Sequence, residues 1–264
     1  AEAPEGRTGP APGIIVIEID EVRRAGDATL GDLLERVPGV QLQRTGSGFE
    51  SSTVRIRGST GEQVLVLRDG RPVADGRSSR VDLSRISLAG VERVELVLGP
   101  ATALYGVGGA AGAVNLVTRP VDTPGAGVDG SGRFVWGSFG EYRGTGTTTI
   151  RGEAEGATYS VDLAVDGVIS ENTYRFERLG EVEARRNAGG RQGSIDVTAR
   201  RDGSLASLEI EGALSAFRRG LPGTVEFPST SAELAEERGG VRLAGGLTAI
   251  PFPTEITIGV SRSE

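Results

Sequence analysis

The second half of the sequence consists of short segments in which apolar residues alternate with polar or small ones. In residues 158–165 (TYSVDLAV), for example, Leu163 and Val165 alternate with Asp162 and Ala164. A period of two places the apolar residues on one face of a β-strand and the polar residues on the other. This pattern fits two architectures. One is half of a soluble β-sandwich, and the other is the wall of a membrane-spanning barrel with lipid outside and a polar lumen.

Turn-forming residues separate these segments, because the chain has 42 Gly and 12 Pro but only 7 Phe, 4 Tyr and 1 Trp. No apolar run approaches the roughly 18 residues that a spanning helix needs. We predict strands joined by hairpins at residues 132–138, 145–151, 158–165, 194–200, 205–214, 241–249 and 255–262.

The composition excludes several classes of chemistry. The chain has neither Cys nor His, and all 29 of its cations are Arg. It therefore has no Cys/His zinc site, no thiol nucleophile, no Ser-His-Asp triad and no disulfide. It also has no GxxxxGK nucleotide loop, so we expect no enzyme. The charges are well mixed along the chain, which argues against a nucleic-acid partner.

The first half of the sequence has a different composition and a different pattern of elements. Residues 1–13 are polar and rich in Pro and Gly, and we expect a mobile arm. Thr29, three residues before Asp32, is a candidate N-cap for a helix that Pro38 and Gly39 terminate. A second short helix is predicted at 100–105. The strands of this small α/β unit, which ends near Pro120, are predicted at residues 14–19, 40–44, 53–57, 64–68, 91–98 and 113–118.

Four ordered motifs carry a family resemblance. They are TLGDLLERVPGVQLQR at 29–44, RIRGSTGEQVLVLRDGRPV at 55–73, VDLSRISLAGVERVELVLGPATALYG at 81–106 and GGAAGAVNLVTRP at 108–120. Their order and spacing resemble the plug domain of TonB-dependent outer-membrane receptors, and are most like those of the cobalamin and catecholate-siderophore branches. The resemblance covers about residues 14–120.

The resemblance implies an α+β plug domain followed by antiparallel transmembrane β-barrel strands. Residues 1–13 would be the N-terminal arm, 14–120 the plug, and 121–264 the N-terminal part of the barrel. The family's barrel has 22 strands. At roughly 9–11 residues per spanning strand, the residues after the plug suffice for about seven or eight. We therefore expect a partial barrel and an incomplete receptor fragment.

The resemblance also implies a function. The chain would belong to a receptor in the outer membrane of a Gram-negative bacterium, surrounded by outer-membrane lipid. Such a receptor takes up a scarce nutrient, namely a ferric siderophore, haem or a cobalamin. Its plug gates the barrel pore with energy from the TonB–ExbB–ExbD complex. Two alternatives are a soluble plug-type ligand-binding module and a plug-bearing signal transducer.

Several plug residues suit particular structural roles. The pair Asp69-Gly70 fits a hairpin turn, and Pro100 fits the first position of a helix. The predicted strand at residues 91–98 carries several charges. At least one of Glu92, Arg93 and Glu95 should be largely buried and paired, because buried charges need partners. Arg57 is the leading candidate partner. By resemblance, the plug-motif and plug–barrel residues are Arg57, Gly58, Asp69, Gly70, Glu92, Arg93, Glu95, Gly99, Pro100, Tyr105, Gly106, Gly112 and Asn115.

Two loops match the ligand-facing apices of the family, at residues 46–52 (GSGFESS) and 74–80 (ADGRSSR). In the first loop, Phe49 offers a stacking surface. In the second, arginines can meet an anionic ligand. An acidic residue in each loop allows a calcium ion, although no full ligand set is visible. The predicted ligand-facing residues are Ser47, Phe49, Glu50, Ser51, Asp75, Arg77 and Arg80, of which Glu50 and Asp75 are the candidate calcium ligands.

Overall fold

The chain divides into two compact units, Ala1–Pro120 and Val121–Glu264. The computed structural model describes residues 14–19, 29–44, 49, 52–56, 58–73, 81–99, 109–118, 126–247 and 250–263. The predicted arm at 1–13 and the predicted helix at 100–105 lie outside these residues. Within the described ranges, no helix is both long and apolar enough to cross a membrane.

The first unit is built on a five-stranded mixed sheet with the order β1-β6-β7-β4-β5. Strands β4 and β7 run parallel, and the other neighbours are antiparallel. Strands β2 and β3 form a separate antiparallel hairpin. The elements are β1 (Ile14–Glu18), α1 (Leu30–Leu34), β2 (Val40–Arg44), β3 (Ser52–Ile56), β4 (Val64–Arg68), β5 (Arg71–Pro72), β6 (Val91–Val97) and β7 (Gly112–Thr118), with single 3-10 turns at Gly61–Gln63 and Leu83–Arg85.

Helix α1 begins with the capping box that the sequence predicts. The Asp32 backbone N–H donates to Thr29 Oγ1 at 3.3 Å, and the Thr29 N–H donates to Asp32 Oδ2 at 3.1 Å. The helix is shorter than its apolar spacing predicts. The N–H groups of Arg36 and Val37 bond three residues back, to Leu33 and Leu34. These i→i+3 bonds tighten the last turn, and the chain leaves the helix before Pro38.

One face of the five-stranded sheet packs on α1 and the β2–β3 hairpin to form the core of this unit. Burying a Leu or Val side chain completely stabilises a fold by about 1.5–3 kcal/mol. The residues of this face with no exposed surface are Val94 and Leu96 on β6 and Val114 and Leu116 on β7, and they contact Leu30 and Leu34 of α1 within one cluster.

The second unit is a seven-stranded antiparallel sheet with the order β16-β15-β14-β13-β10-β9-β8. A two-stranded hairpin, β11–β12, lies between β10 and β13 in the chain. The strands are β8 (Gly127–Gly137), β9 (Glu141–Ala154), β10 (Ala157–Ser170), β11 (Tyr174–Arg178), β12 (Glu181–Arg185), β13 (Gly190–Gly203), β14 (Ala206–Gly220), β15 (Glu233–Leu247) and β16 (Ile250–Ser263). The predicted sequence of antiparallel strands is confirmed, and in the described residues the sheet is open, because β8 and β16 each pair with one neighbour.

Strand β15 begins at Glu233, eight residues before the strand that the sequence predicts at residues 241–249. Its first part carries the charged run ELAEERGG, which has no apolar alternation. Pairing with β14 continues through this run and ends with Gly220 opposite Glu233. The backbone ladder of the neighbouring strand therefore extends β15 where side-chain periodicity gives no signal.

The two faces of the seven-stranded sheet are opposite in character. On β10, Val161, Leu163 and Val165 are exposed, whereas Ser160 and Asp166 between and beside them are buried. A soluble sheet has the reverse arrangement, with its apolar face covered. Exposed apolar residues that alternate with buried polar ones are typical of a membrane barrel wall. We call the two sides of this sheet the apolar face and the polar face.

In the first unit, strand β7 approaches its neighbours most closely at Gly112. A Cβ added to this glycine would lie 2.4 Å from the Val97 carbonyl oxygen and 2.7 Å from Ile56 Cδ1. The first of these atoms belongs to the backbone of β6 and cannot move without distorting the ladder. The absence of a side chain at position 112 is therefore a packing requirement of the sheet.

Gly112→Ala should destabilise the first unit by about 1–3 kcal/mol, because overpacking forces the backbone to shift. The measurement is the urea concentration at which the first unit of the purified full-length protein becomes sensitive to trypsin. Gly127→Ala is the matched control, because an added Cβ there meets nothing within 4 Å. Equal midpoints for the two variants would contradict the packing argument.

Candidate functional site

A set of polar side chains connects three strands on the face of the five-stranded sheet away from α1. We call it the sheet-face network. It joins the aspartate–glycine motif after β4, the charged motif of β6 and the asparagine motif of β7. Its members are Asp69, Gly70, Arg93, Glu95, Asn115 and Thr118.

Asn115 is the centre of the sheet-face network, and only 7% of its surface is exposed. Its Oδ1 accepts a hydrogen bond from the Gly70 N–H at 2.9 Å. Its Nδ2 donates to Glu95 Oε2 at 3.1 Å. The other oxygen of Glu95 accepts from Arg93 Nε at 2.9 Å. Both oxygens of the carboxylate are thus occupied by donors from its own sheet.

The Asp69-Gly70 turn is the other anchor of the network. The two residues have φ values of 49° and 75°, as a two-residue type I′ hairpin requires, and glycine adopts such a φ without strain. The Asp69 N–H donates to the Leu116 carbonyl at 2.8 Å. The Asp69 carboxylate accepts from the Thr118 N–H at 2.8 Å and from Thr118 Oγ1 at 2.9 Å.

The sheet-face network therefore clamps the turn after β4 against β7, and β7 against β6. A buried amide or carboxylate is costly when its hydrogen bonds are not made, and in this network they are made. Its chemistry is structural, because donors and acceptors satisfy one another. Among the described residues, no group of three or more acidic side chains is placed to hold a metal ion.

The structure gives Glu95 partners that differ from the leading candidate of the sequence analysis. Arg93 and Asn115 bind it, and the Arg93 and Glu95 side chains are only partly buried. Glu92 has a different environment, because it lies where the β6–β7 register shifts between Val91 and Arg93. Its Oε2 is buried and has no hydrogen-bond partner within the described ranges. Arg57 lies outside those ranges, so its pairing stays a prediction.

The structure describes some of the other predicted plug residues and not the rest. Gly58 and Gly99 have positive φ values. Pro100, Tyr105 and Gly106 lie outside the described residues.

Of the predicted ligand-facing residues, the structure describes only Phe49. Its side chain is buried, with 8% of its surface exposed. The expectation of an open stacking surface is wrong for this position, because an aromatic ring gains more from packing than from exposure in a Gly/Ser loop. The others lie outside the described residues and stay predictions: Ser47, Glu50, Ser51, Asp75, Arg77 and Arg80.

Sequence reasoning did not identify a ladder of charges on the polar face of the second unit. Arg200 Nε donates to Glu209 Oε2 at 2.7 Å, and Arg242 Nε donates to Glu211 Oε2 at 2.7 Å. Arg200 also lies 3.6 Å from Asp162, and Arg242 contacts Glu209. The signal in the sequence is that Glu209 and Glu211 occupy alternate positions of one predicted strand, with Arg200 and Arg242 in the predicted strands before and after it. Their partners depend on the register.

Comparisons with known proteins agree with this architecture. Residues 11–113 match the family model of the TonB-dependent receptor plug domain. The chain is 31% identical over 184 residues to the ferric enterobactin receptor of Pseudomonas aeruginosa, across 64% of this chain and 23% of that protein.

Two solved structures share the fold. The copper transporter OprC superposes with a TM-score of 0.66 at 17% identity, over 95% of this chain and 37% of that one. A mutant of the ferric enterobactin receptor from Pseudomonas aeruginosa, in complex with enterobactin, gives a TM-score of 0.63 at 22% identity, over 97% and 42%. The chain thus spans less than half the length of each of these relatives.

A plug-type α+β unit followed by strands with an exposed apolar face defines an outer-membrane β-barrel receptor. The matching residues show which part of the chain carries the family signal. Residues 11–113 form a plug domain of the TonB-dependent receptor family, and the chain is similar to an outer-membrane receptor of Pseudomonas aeruginosa.

The sheet-face network predicts the effect of one substitution and its rescue. Asn115→Asp keeps the acceptor for Gly70 but places a second carboxylate against Glu95. It should destabilise the first unit by about 1–3 kcal/mol, since it removes a buried donor. The double variant Asn115→Asp with Glu95→Gln returns a donor to the same contact and should recover at least half of the loss.

The measurement is again the urea midpoint for trypsin sensitivity in the full-length protein. Glu95→Gln alone is the control for the loss of the Arg93 ion pair. A double variant no more stable than Asn115→Asp would show that the Glu95–Asn115 contact does not clamp the sheet.

Proposed function

We propose that this chain provides the plug and the first wall strands of a receptor that takes up a ferric siderophore across the outer membrane. Haem and cobalamins are the other candidate nutrients. The observation that carries the proposal is the union, in one chain, of a plug-family unit with a sheet whose apolar face is exposed. The relative that binds ferric enterobactin favours a catecholate siderophore. We infer a role in transport and not in catalysis.

The wall needs more strands than the described sheet contains. Strands β8 and β16 are edges, and lipid does not tolerate the unpaired N–H and C=O groups of an open edge. We propose that further strands of the same receptor close the barrel. The polar face, with its Arg–Glu ladder, would then line the lumen.

The plug would be opened from its edge. Strand β1 pairs with β6 alone, through the five residue pairs from Ile14–Val97 to Glu18–Arg93. A force on the chain before Ile14 would break these hydrogen bonds one after another, each worth about 1 kcal/mol net. The interior strands β4, β6 and β7 resist, because the sheet-face network joins them. We propose that TonB, energised by ExbB–ExbD, supplies this force and opens the plug only partly.

The ligand would bind the two predicted apical loops. A ferric tris-catecholate is an anion, and Arg77 and Arg80 offer guanidinium groups that form strong charge-assisted hydrogen bonds with anionic oxygens. Because Phe49 is buried, we assign it to holding its loop in place. Calcium at Glu50 and Asp75 stays a proposal of the same kind.

The proposed function predicts TonB-dependent uptake of iron. The full-length receptor is expressed in a bacterium without its own siderophore receptors, and radiolabelled iron is supplied as ferric enterobactin. We expect uptake that disappears when TonB is deleted. Haem, a cobalamin and a ferric hydroxamate are supplied in parallel to identify the nutrient. Failure with every one of these ligands, or uptake that persists without TonB, would overturn the proposal.

Edge-first opening predicts that a single staple blocks transport. Ile14→Cys with Val97→Cys places two thiols on directly opposed residues of β1 and β6, within reach of a disulfide. These 264 residues contain no Cys, so no other pairing among them competes. Oxidation should reduce uptake at least tenfold without changing ligand binding, and reduction should restore it.

The matched control is Gln41→Cys with Arg55→Cys, which staples the separate β2–β3 hairpin at directly opposed residues. We expect its uptake to be unchanged on oxidation. If the β1–β6 staple leaves uptake intact, opening does not begin at β1.

A further inference from the structure

The apolar face of the seven-stranded sheet is bounded at both ends by aromatic and arginine side chains. At one end, strands meet in tight turns, such as Glu155-Gly156 between β9 and β10. At the other end the connections are longer, and they include the β11–β12 hairpin and residues 221–232. In outer-membrane barrels the short turns face the periplasm and the long connections face the exterior.

The distance between these ends fits a membrane. Tyr142 lies at the end with long connections, and Tyr159, opposite Gly152, lies at the end with tight turns. From Tyr142 to Gly152 strand β9 rises about 33 Å at roughly 3.3 Å per residue. A strand tilt of about 40° reduces this to about 25 Å, which is the height of the apolar band in such barrels.

The row at the exterior end contains an unusual pair of charges. Trp136, Tyr142, Ile169, Arg191 and Arg218 are successive cross-strand partners on five neighbouring strands. Arg191 and Arg218 thus stand directly opposite each other, and like charges in this position destabilise a sheet.

Nearby acidic groups compensate this pair only in part. Arg218 lies 3.8 Å from Glu233, with both side chains about half exposed. Glu237, opposite Ala216, borders the same groove, and the described residues show no ion pair between it and either arginine. For Arg191, the structure records no ion pair within the described ranges. At the opposite end, by contrast, Arg201 is held over the ring of Tyr159.

Two residues further along each strand, towards the membrane centre, the cross-strand partners have almost no side chains. Gly144, Gly167, Gly193 and Ala216 are direct partners on β9, β10, β13 and β14. They form the floor of a groove of about 780 Å³, which Tyr142, Ile169, Val165, Glu237 and both arginines border.

Packing of the sheet does not require these glycines. A Cβ at Gly144 would meet nothing within 4 Å, and at Gly167 and Gly193 its nearest contacts would be 3.8 Å and 3.5 Å. The groove is therefore open space on a face that points towards lipid. Its floor spans four strands, or about 14 Å at roughly 4.8 Å between neighbours, which accommodates part of an extended hydrocarbon chain lying across them.

The geometry points to a binding site for a membrane lipid with a phosphate headgroup. The phosphate would bridge Arg191 and Arg218 and remove their mutual repulsion, because guanidinium groups bind phosphate oxygens in pairs. One acyl chain would lie in the glycine groove below the aromatic row. The site rests on the membrane placement of the proposed receptor and not on the identity of its nutrient.

A second copy of the chain fits this surface less well than a lipid does. A symmetric contact through this face would bring the arginine pair of one copy towards the pair of the other, or towards the apolar band. The acidic residues of this face, Glu233 and Glu237, lie beside its own arginines, so a second copy brings as much positive as negative charge to this end. A phosphorylated lipid supplies both the charge and the hydrocarbon.

The test compares two lipids that differ only in the phosphate. The purified full-length receptor is titrated with dioleoylphosphatidic acid and with dioleoylglycerol, and bound lipid is counted by native mass spectrometry. We expect at least tenfold tighter binding of the phosphatidic acid. R191Q combined with R218Q should abolish this preference, and R201Q, at the other end of the band, should preserve it.

The groove is tested separately from the charges. G167V should weaken the binding of phosphatidic acid at least fivefold with both arginines intact, because its side chain fills the floor. Inorganic phosphate should fail to displace the lipid, since it has no chain for the groove. The receptor should remain monomeric in all variants.

Three results would overturn the site. They are equal binding of the two lipids by the natural receptor, full preference in the R191Q/R218Q variant, and a receptor dimer that G167V dissociates. Iron uptake by R191Q/R218Q is measured in the same cells and should be unchanged. A failure of lipid binding with normal uptake therefore rejects the lipid site alone, and a failure of uptake in the natural receptor rejects the proposed function.

Discussion

Strand register is the constraint on which the rest of this structure depends. In the second unit each interior strand of the seven-stranded sheet pairs with both neighbours over most of its length, so the backbone polar groups between these strands are satisfied. A sheet can present an apolar side to lipid only where these groups are paired. The same register aligns Arg200, Glu209 and Arg242 on the polar face and Arg191 and Arg218 on the apolar face. A slip of one residue would exchange the two faces.

The five-stranded sheet uses its register for a different purpose. One face forms a closed apolar core, and the other places Asn115 between the Asp69-Gly70 turn and Glu95. Three motifs that lie far apart in the chain thereby become one clamp. The clamp holds the interior strands together, while β1, at the edge, has only one neighbour. A plug with a firm interior and a removable edge suits a gate that must open without unfolding.

The two units therefore support complementary parts of one proposed receptor. The first provides a gate whose resistance is concentrated in the sheet-face network. The second provides a wall whose apolar face has the height of a membrane and whose polar face is a ladder of ion pairs. The arginine pair and the glycine groove add a contact between this wall and a phosphorylated lipid. That contact would anchor the exterior end of the wall without touching the path of the nutrient.

The sequence by itself determined the features that depend on neighbours along the chain. These include the capping box at Thr29, the Asp69-Gly70 turn, the alternation of the wall strands and the plug motifs. Only the tertiary structure decided which distant residues meet. Glu95 is bound by Asn115 because β6 and β7 are neighbours in the sheet, and Phe49 is buried by the surrounding fold. The reason is physical: local spacing sets the face on which a residue lies, whereas sheet order and register set its partner.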